Sequence, residues 1–300
     1  MRKTLIGALS VLAFAVPATA QEVALTFDDL PAHAPLPPGE TRIGVIGRLV
    51  AALADAGAVP AMGFVNASRL EEEPADRAVL EIWRDAGHQL GNHGWAHANL
   101  DEIGAEAFEA ELVRNEPVLE AMADGSDWRW FRYPFLAEGR DPAVRRAGRE
   151  VLREHGYKVA SVTMDFSDWA YNNTYERCRK TGDAAAVARM ETLFLAGADE
   201  ALAASRALSD RLYGRDIPYV LLMHAGAFDA RMMPRLLELY QARGVTFVSL
   251  EAAMSDPFYE TDREAADTAA PLTLENEARA AGIAVPERAD VLNELAALCT

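Results

Sequence analysis

Residues 23–31, Val-Ala-Leu-Thr-Phe-Asp-Asp-Leu-Pro, constrain how the rest of the chain can fold. The apolar run from Val23 to Leu25 predicts a buried strand, and two adjacent carboxylates, Asp28 and Asp29, follow it almost directly. Charged carboxylates at the mouth of a buried strand cost free energy unless a cation or a proton transfer uses them. Taken alone, the Asp pair favours the simpler interpretation of a solvated loop, so the interpretation depends on the remaining sequence.

Further polar clusters follow other strand-like segments along the chain. They are His93 with His97, Arg132, Asp165 with Asp168, and His224. The strand-like segments alternate with segments of helical apolar spacing, which predicts a parallel sheet or barrel of the α/β class. Because such folds build their sites at the carboxyl ends of the strands, we expect these clusters to meet at one edge.

The alternation gives a set of expected elements. The predicted strands cover residues 60–65, 88–92, 128–132, 157–164, 217–223 and 245–250, and the predicted helices cover 43–53, 75–85, 104–123, 141–155, 183–213 and 234–243. Asp141-Pro142 is a typical helix start. Residues 170–182 are expected to form a loop.

The first twenty residues predict a secretion signal. Arg2 and Lys3 precede a short apolar run, and Ala18-Thr19-Ala20 suits cleavage after a small residue. The run is too short to span a membrane, and the new first residue, Gln21, is not a Cys that could carry a lipid. We therefore expect an exported protein, periplasmic or extracellular and without stable membrane insertion after cleavage. The expected organisation is a signal peptide at 1–20, a catalytic domain at 21–256 and an acidic, helix-prone tail at 257–300.

Composition limits the class of ligand. Half of the 300 residues are apolar, which suits one large domain, and the formal net charge is −17. That charge disfavours nucleic acid and acidic polymers and favours a neutral or cationic substrate. The two cysteines, Cys178 and Cys299, do not form a metal-binding pattern. In an oxidising compartment they could form a disulfide, but the sequence equally allows two free thiols.

His93 and His97 are four residues apart. On a helical turn this spacing would place both imidazoles on one face, where they could bind one metal ion. The pair resembles the His-Glu-x-x-His pattern, but Gly94 stands where Glu would be, so a general base must come from elsewhere. Surface histidines at this spacing are also common, and the pair alone leaves both interpretations open.

Five motifs in order carry a family resemblance. They are Thr-Phe-Asp-Asp at 26–29, His-x-x-x-His at 93–97, Arg-x-Pro-Phe at 132–135, Asp-x-x-Asp-Trp at 165–169 and Leu-x-His at 222–224. This order resembles the polysaccharide deacetylases, carbohydrate esterase family 4, also called the NodB-homology domain, over residues 23–250. The resemblance implies an α/β fold, a distorted (β/α) barrel with mainly parallel strands.

The resemblance also implies a metal site and its ligands. Asp29, His93 and His97 match the ligands of one divalent ion. Zn²⁺ is the first choice for nitrogen and oxygen ligands of this kind, and Co²⁺, Ni²⁺ or Fe²⁺ could substitute. Asp28 matches the general base that activates a water.

Other site residues follow from the same resemblance. His224 matches the general acid, Asp168 the carboxylate that orients it, and Arg132 the residue that holds Asp28. The backbone N–H of Phe135 would stabilise the oxyanion, and Leu222 and Trp169 would form the pocket for the acetyl methyl group.

Several residues depart from the family pattern or are given no role in it. Leu30 and Gly94 replace the Gly and the Ser or Thr that the family usually has at these positions, which leaves substrate contacts and loop shape open. Asp165 is the less certain Asp of its cluster. His33 is expected to be an exposed loop residue, and His88 and His155 are expected to be structural.

The implied function is metal-dependent removal of N-acetyl groups from a glycan that contains N-acetylglucosamine, with peptidoglycan and chitooligosaccharides as candidates. Three alternatives stay open: removal of O-acetyl esters from a xylan-type glycan, hydrolysis of a small amide, and a catalytically silent glycan-binding module. The sequence does not fix the oligomeric state.

Overall fold

The computed structural model of the chain describes residues 20–31, 33–123, 125–287 and 290–300. The predicted signal peptide, apart from its last residue, lies outside the described residues. Among the helices in these ranges, none has the length and apolarity that a membrane span requires.

A parallel sheet forms the centre of the fold, and every strand pairing in the described ranges is parallel. The strands are β1 (Gln21–Leu30), β2 (Met62–Val65), β3 (Gln89–Asn92), β4 (Trp130–Phe131), β5 (Lys158–Val159), β6 (Tyr219–His224) and β7 (Val245–Val248). Their order is β5-β4-β3-β2-β1-β6, and β7 pairs with the first residues of β1. Strand β1 is the longest of the described strands and pairs with β2, β6 and β7, and nine of its ten residues are buried.

Residues 158–164 connect the two edges of the sheet. Lys158 and Val159 pair with β4 at one edge, while Met164 pairs with Leu221 of β6 at the other. The sheet therefore curls into a distorted barrel, which confirms the predicted α/β fold class. The prediction of one continuous strand over 157–164 is wrong, because this segment bends between its two partners.

Helices connect the strands and also follow the last strand. They are α1 (Arg42–Asp55), α2 (Arg69–Glu72), α3 (Arg77–Asp85), α4 (Leu100–Met122), α5 (Pro142–Glu154), α6 (Trp169–Thr181), α7 (Ala184–Tyr213), α8 (Ala227–Ala242), α9 (Leu250–Ala253), α10 (Glu260–Arg263), α11 (Leu274–Ala280) and α12 (Val291–Ala296). The expected start of α5 is confirmed, since the Asp141 side chain accepts a hydrogen bond from the Ala143 N–H.

The expected loop at 170–182 is instead helix α6. Tyr171, Tyr175 and Cys178 recur at helical spacing and are buried, so the segment has an apolar face that packs against the core. Gly182 ends the helix in the left-handed conformation, at φ 73°. The helix matters for the site because its first residue directly follows Asp168.

Residues after 256 pack onto the body of the fold. Asp262 is fully buried and accepts hydrogen bonds from Arg149, at 2.7 Å, and from the Ser161 hydroxyl, at 2.5 Å. A disulfide joins Cys178 of α6 to Cys299. The sequence allowed either a disulfide or two free thiols, and the structure has the disulfide. The division of the chain at residue 256 remains a prediction.

Candidate active site

A cavity of about 460 Å³ opens at the carboxyl ends of β1, β3 and β6. The residues that line it are Asp28, Asp29, His33, His93, His97, Phe135, Leu136, Asp165, Trp169, Leu222 and His224. Eight of the ten sequence-predicted site residues are in this lining. The other two, Arg132 and Asp168, are buried and contact lining residues directly.

A break in strand β1 brings both carboxylates of the Asp pair into the cavity. Neighbouring side chains on a regular strand point to opposite faces of the sheet. The register between β1 and β2 shifts between Phe27 and Leu30, and Asp29 has a φ of 65°. This local bulge lets Asp28 and Asp29 line one cavity, as bulges next to active sites commonly do.

Asp29, His93 and His97 present three ligand atoms to one point. The Oδ1 atom of Asp29 lies 3.5 Å from Nε2 of His93 and 3.3 Å from Nε2 of His97. Two ligand atoms about 2.1 Å from a tetrahedral ion lie about 3.4 Å from each other, so the spacing fits one shared ion. The three residues form a candidate metal site.

Hydrogen bonding fixes the orientation of the His93 ring. Its Nδ1 donates to the carbonyl oxygen of Arg132 at 2.7 Å, which leaves Nε2 free to bind a metal. Burial lowers the pKa of His97 to about 4, so that its imidazole is neutral, as a ligand must be. For Asp29, burial raises the pKa, but the neighbouring imidazoles of His33 and His93 outweigh burial and hold the pKa well below its usual range.

The two histidines converge without a helix, so the expectation that they share a helical face is wrong. Residues 93–99 form an irregular loop, with φ values of 74° at Gly94 and 57° at His97. Asn66 donates through Nδ2 to the carbonyl oxygens of His93 and Gly94, at 2.7 and 2.9 Å. A glycine at position 94 suits this left-handed backbone, which a Ser or Thr would strain.

Buried amides behind the loop were not identified from the sequence. Asn115 donates through Nδ2 to Oδ1 of Asn92 at 2.8 Å, and the same oxygen accepts from the Gly94 N–H at 2.9 Å. Asn92 donates in turn to the Tyr157 hydroxyl and to the Leu112 carbonyl oxygen. These bonds tie the loop at residues 93–99 to α4 and β3.

Arg132 links the carboxylate of Asp28 to the candidate metal site. Its Nη1 donates to Oδ1 of Asp28 at 3.1 Å, and its Nη2 and Nε bond to Thr26 and to the Ala160 carbonyl oxygen. The other oxygen of Asp28 lies 3.6 Å from Nε2 of His93. The guanidinium thus holds a charged carboxylate at the cavity wall.

His224 and Asp168 form a second buried pair. Asp168 accepts from Nδ1 of His224 at 3.0 Å and from the His224 backbone N–H at 2.6 Å. Burial alone would lower the pKa of His224, but the carboxylates of Asp168, Asp29 and Asp28 outweigh it and raise the pKa to about 10. The ring is therefore protonated at neutral pH. Its Nδ1 is bonded to Asp168, so Nε2 is the nitrogen that can donate to a bound molecule.

Asp229 lies behind this pair and was also not identified from the sequence. It is fully buried and accepts a hydrogen bond from Asn172 at 2.6 Å. Burial and the neighbouring Asp168 raise the pKa of Asp229 well above its usual range. This shift disfavours a second negative charge behind the pair of His224 and Asp168.

Apolar side chains form another part of the wall. Leu222 is buried, whereas the residues Trp169 and Phe135 are 41 % and 66 % exposed at the mouth. The Phe135 ring packs edge-on against His97, with ring centroids 4.3 Å apart. The mouth is thus lined by exposed aromatic surface, while the base of the cavity is charged.

His33 lies in the site, so the expectation of an exposed loop residue is wrong. Its Nδ1 is 2.6 Å from Oδ2 of Asp29, and its ring centroid is 4.6 Å from that of His224. The available signal was its position four residues after Asp29, in a loop held by prolines. By contrast, His88 is buried away from the cavity, where its Nδ1 accepts from the Ala61 N–H, and His155 pairs with Glu109.

Comparison with known proteins gives the following matches. A family model described as polysaccharide deacetylase matches residues 15–160. A chitin deacetylase of Arthroderma benhamiae is 28% identical over 149 residues, which are 50% of this chain and 35% of that protein. A peptidoglycan-N-acetylglucosamine deacetylase of Bacillus cereus is 25% identical over 157 residues, 52% of this chain and 50% of that protein. The chain thus spans half or less of the length of these relatives.

A solved structure is similar over most of the fold. It is a mutant, with restored enzymatic activity, of a carbohydrate esterase family 4 pseudoenzyme from Bacillus anthracis. The match has a TM-score of 0.56 at 16% identity and covers 79% of this chain and 68% of the other. This likeness concerns the fold.

Proposed function

The chain belongs to the polysaccharide deacetylase family, and from this premise we propose that it hydrolyses N-acetyl groups on a glycan that contains N-acetylglucosamine. Chitooligosaccharides and peptidoglycan are the candidate substrates, because the relatives named above are a chitin and a peptidoglycan deacetylase. The observation that carries the proposal is that a charged carboxylate, a protonated imidazole and a candidate metal site line one cavity.

Asp29, His93 and His97 would hold the metal ion, with Zn²⁺ the first choice for this donor set. Such an ion would act as a Lewis acid and would make a water more acidic at neutral pH. The donor set fits, since one carboxylate and two imidazoles face each other at 3.3 and 3.5 Å.

Asp28 is the proposed general base. Its carboxylate accepts the proton of the attacking water, while the hydrogen bond from Arg132 holds the carboxylate in place. Arg132 also fixes His93 through its carbonyl oxygen, so one residue positions both the base and a ligand. This shared support explains how a fully buried arginine contributes to a site that it does not line.

His224 is the proposed general acid. The C–N bond of the acetamide breaks, and the leaving nitrogen takes a proton from Nε2 of His224, so that the products are acetate and a free amine. Asp168 keeps the imidazole protonated and holds its Nδ1 side. An amine leaving group needs this proton more than an alkoxide does, which favours the amide over the ester substrate.

The walls suit an acetylated sugar. Leu222 is a candidate contact for the acetyl methyl group, and the half-exposed Trp169 offers an aromatic face of the kind that sugar rings pack against. Phe135 is the proposed oxyanion donor through its backbone N–H. The net charge of −17 is compatible with a neutral glycan and repels a polyanion.

Export to an oxidising compartment, periplasmic or extracellular, is the proposed location. The disulfide between Cys178 and Cys299 supports it, since such bonds persist mainly outside the reducing cytosol.

Acetate release tests the proposed function. Metal-stripped protein is incubated with N-acetylglucosamine oligomers, with and without Zn²⁺, and free acetate is measured. We expect release that requires the metal. Release from acetylated xylan alone would favour the esterase alternative, and release from small amides alone would favour an amidohydrolase. Glycan binding with no release from any amide or ester would favour a silent module.

The Asp168→Asn variant is expected to lose activity at a lower pH than the native protein. The acid form of His224 is the active form, so activity falls as the pH rises through the pKa of His224. Removing the negative charge at residue 168 lowers that pKa, and the alkaline limb of the rate profile should move down by about 1–3 pH units. The measurement is kcat against pH on one oligomer, with metal content checked. An unmoved alkaline limb would contradict the assigned pair.

A further inference from the structure

His33 contacts three parts of the candidate active site. Its Nδ1 lies 2.6 Å from Oδ2 of Asp29, and its Nε2 lies 3.2 Å from the carbonyl oxygen of Trp169. Its backbone N–H donates to the carbonyl oxygen of Ala225 at 3.1 Å. One residue thus connects the end of β1, the start of α6 and the end of β6.

The distances around Asp29 separate two kinds of contact. On the Oδ1 side, the imidazole nitrogens of His93 and His97 lie at 3.5 and 3.3 Å, which suits ligands that share an ion. On the Oδ2 side, the nitrogen of His33 lies at 2.6 Å, which is a charge-assisted hydrogen bond. Each oxygen of this carboxylate therefore has a different partner.

The His33 ring is held firmly enough to fix its partner. Its side chain is 17% exposed, its ring packs beside that of His224, and its backbone is bonded to the residue after His224. Both ring nitrogens face oxygen acceptors, the Asp29 carboxylate and the Trp169 carbonyl. The ring therefore has little freedom to turn away from Asp29.

We propose that His33 is a positioning residue for the metal ligand Asp29: its hydrogen bond to Oδ2 makes Asp29 offer a single oxygen, Oδ1, to the ion. The inference rests on the proposed function, because it assumes a metal at Asp29, His93 and His97. Hydrogen-bonded partners of ligating carboxylates set the orientation of the ligand and contribute to metal affinity. Without His33, Oδ2 is free to turn toward the ion.

The test measures metal binding in full-length protein, not turnover alone. Zn²⁺ affinity is determined by competition with a chromophoric chelator for the native chain, His33→Ala and His33→Asn. We expect His33→Ala to bind Zn²⁺ about 10- to 100-fold more weakly. His33→Asn, whose amide N–H can take the place of Nδ1–H, should recover most of the loss.

A second readout reports the coordination directly. The visible absorption of bound Co²⁺ depends on coordination number and is weaker when more ligands surround the ion. We expect His33→Ala to show weaker absorption per bound ion than the native protein, as a second Asp29 oxygen joins. His155→Ala is the matched control, because His155 pairs with Glu109 away from the cavity, and both readouts should stay native.

The outcomes distinguish this inference from the proposed function. Native protein that binds no Zn²⁺ or Co²⁺ would overturn both. If the native protein binds metal, and His33→Ala has the same Zn²⁺ affinity and the same Co²⁺ absorption, only the role of His33 would be overturned. If both His33 variants also lowered the thermal stability of the metal-free protein equally, the residue would be structural and the inference would fail.

Discussion

The His93→Ala variant is expected to lose its bound divalent ion and its acetate release together. His93 is 1% exposed, its Nδ1 is bonded to the Arg132 carbonyl oxygen, and its Nε2 faces Oδ1 of Asp29. The substitution removes one of the three proposed ligands. Because a Lewis-acid metal contributes several kcal/mol to the barrier, the rate should fall by about 10³-fold or more.

Metal content and acetate release are measured on the same preparation. His88→Ala is a useful comparison, since His88 is a buried histidine whose only described side-chain hydrogen bond is from the Ala61 N–H, outside the cavity. That variant should lose stability but keep its metal when folded. A His93→Ala protein that binds Zn²⁺ and releases acetate at the native rate would remove His93 from the site.

The Asp28→Asn variant is expected to keep its metal and lose turnover. Asn has the shape of Asp, and its amide oxygen can still accept the hydrogen bond from Arg132, now 3.1 Å from Oδ1 of Asp28. It cannot take a proton from water. Loss of a general base costs about 10²- to 10⁴-fold in rate, and we expect kcat to fall within that range.

A comparison of Asp28→Asn with Asp29→Asn distinguishes the proposed base from the proposed metal ligand. Zn²⁺ affinity is measured beside kcat, and the two carboxylates are compared directly by including Asp29→Asn. The variant at residue 29 should lose metal, whereas the variant at residue 28 should retain it. If the residue 28 variant lost metal and the residue 29 variant did not, the roles of the two neighbours would be exchanged.

The sequence predicted the fold class because each strand and most helices carry their own local signal. The apolar run before Asp28 and the helical spacing in α1 are recognisable without any tertiary contact. The prediction of a loop at 170–182 was wrong because the local signal there is weak. The buried face of α6 is made of tyrosines and a cysteine within a polar segment, and its burial depends on packing that the sequence does not show.

The candidate site residues were predicted from ordered motifs, but their geometry was not. A spacing of four residues between His93 and His97 suggested a helix, whereas the loop is shaped by positive φ values and by buried amides such as Asn66. The bulge at Asp29 is equally invisible in sequence, since it depends on the register with β2. Long-range contacts set these features.

His33 illustrates the same limit. Its significance depends on Trp169, which is 136 residues away along the chain, and on Ala225 after β6. A histidine in a proline-rich loop carries no periodic signal. Only the fold places it against Asp29.

The most direct measurement is the anomalous scattering of Zn²⁺ in crystals of the full-length protein, recorded above and below the zinc absorption edge. We expect one strong anomalous peak within bonding distance of Oδ1 of Asp29 and Nε2 of His93 and His97, with Asp28 and His224 facing it across the cavity. A zinc-loaded crystal with no peak at these three atoms, or with its peak elsewhere on the molecule, would contradict the account.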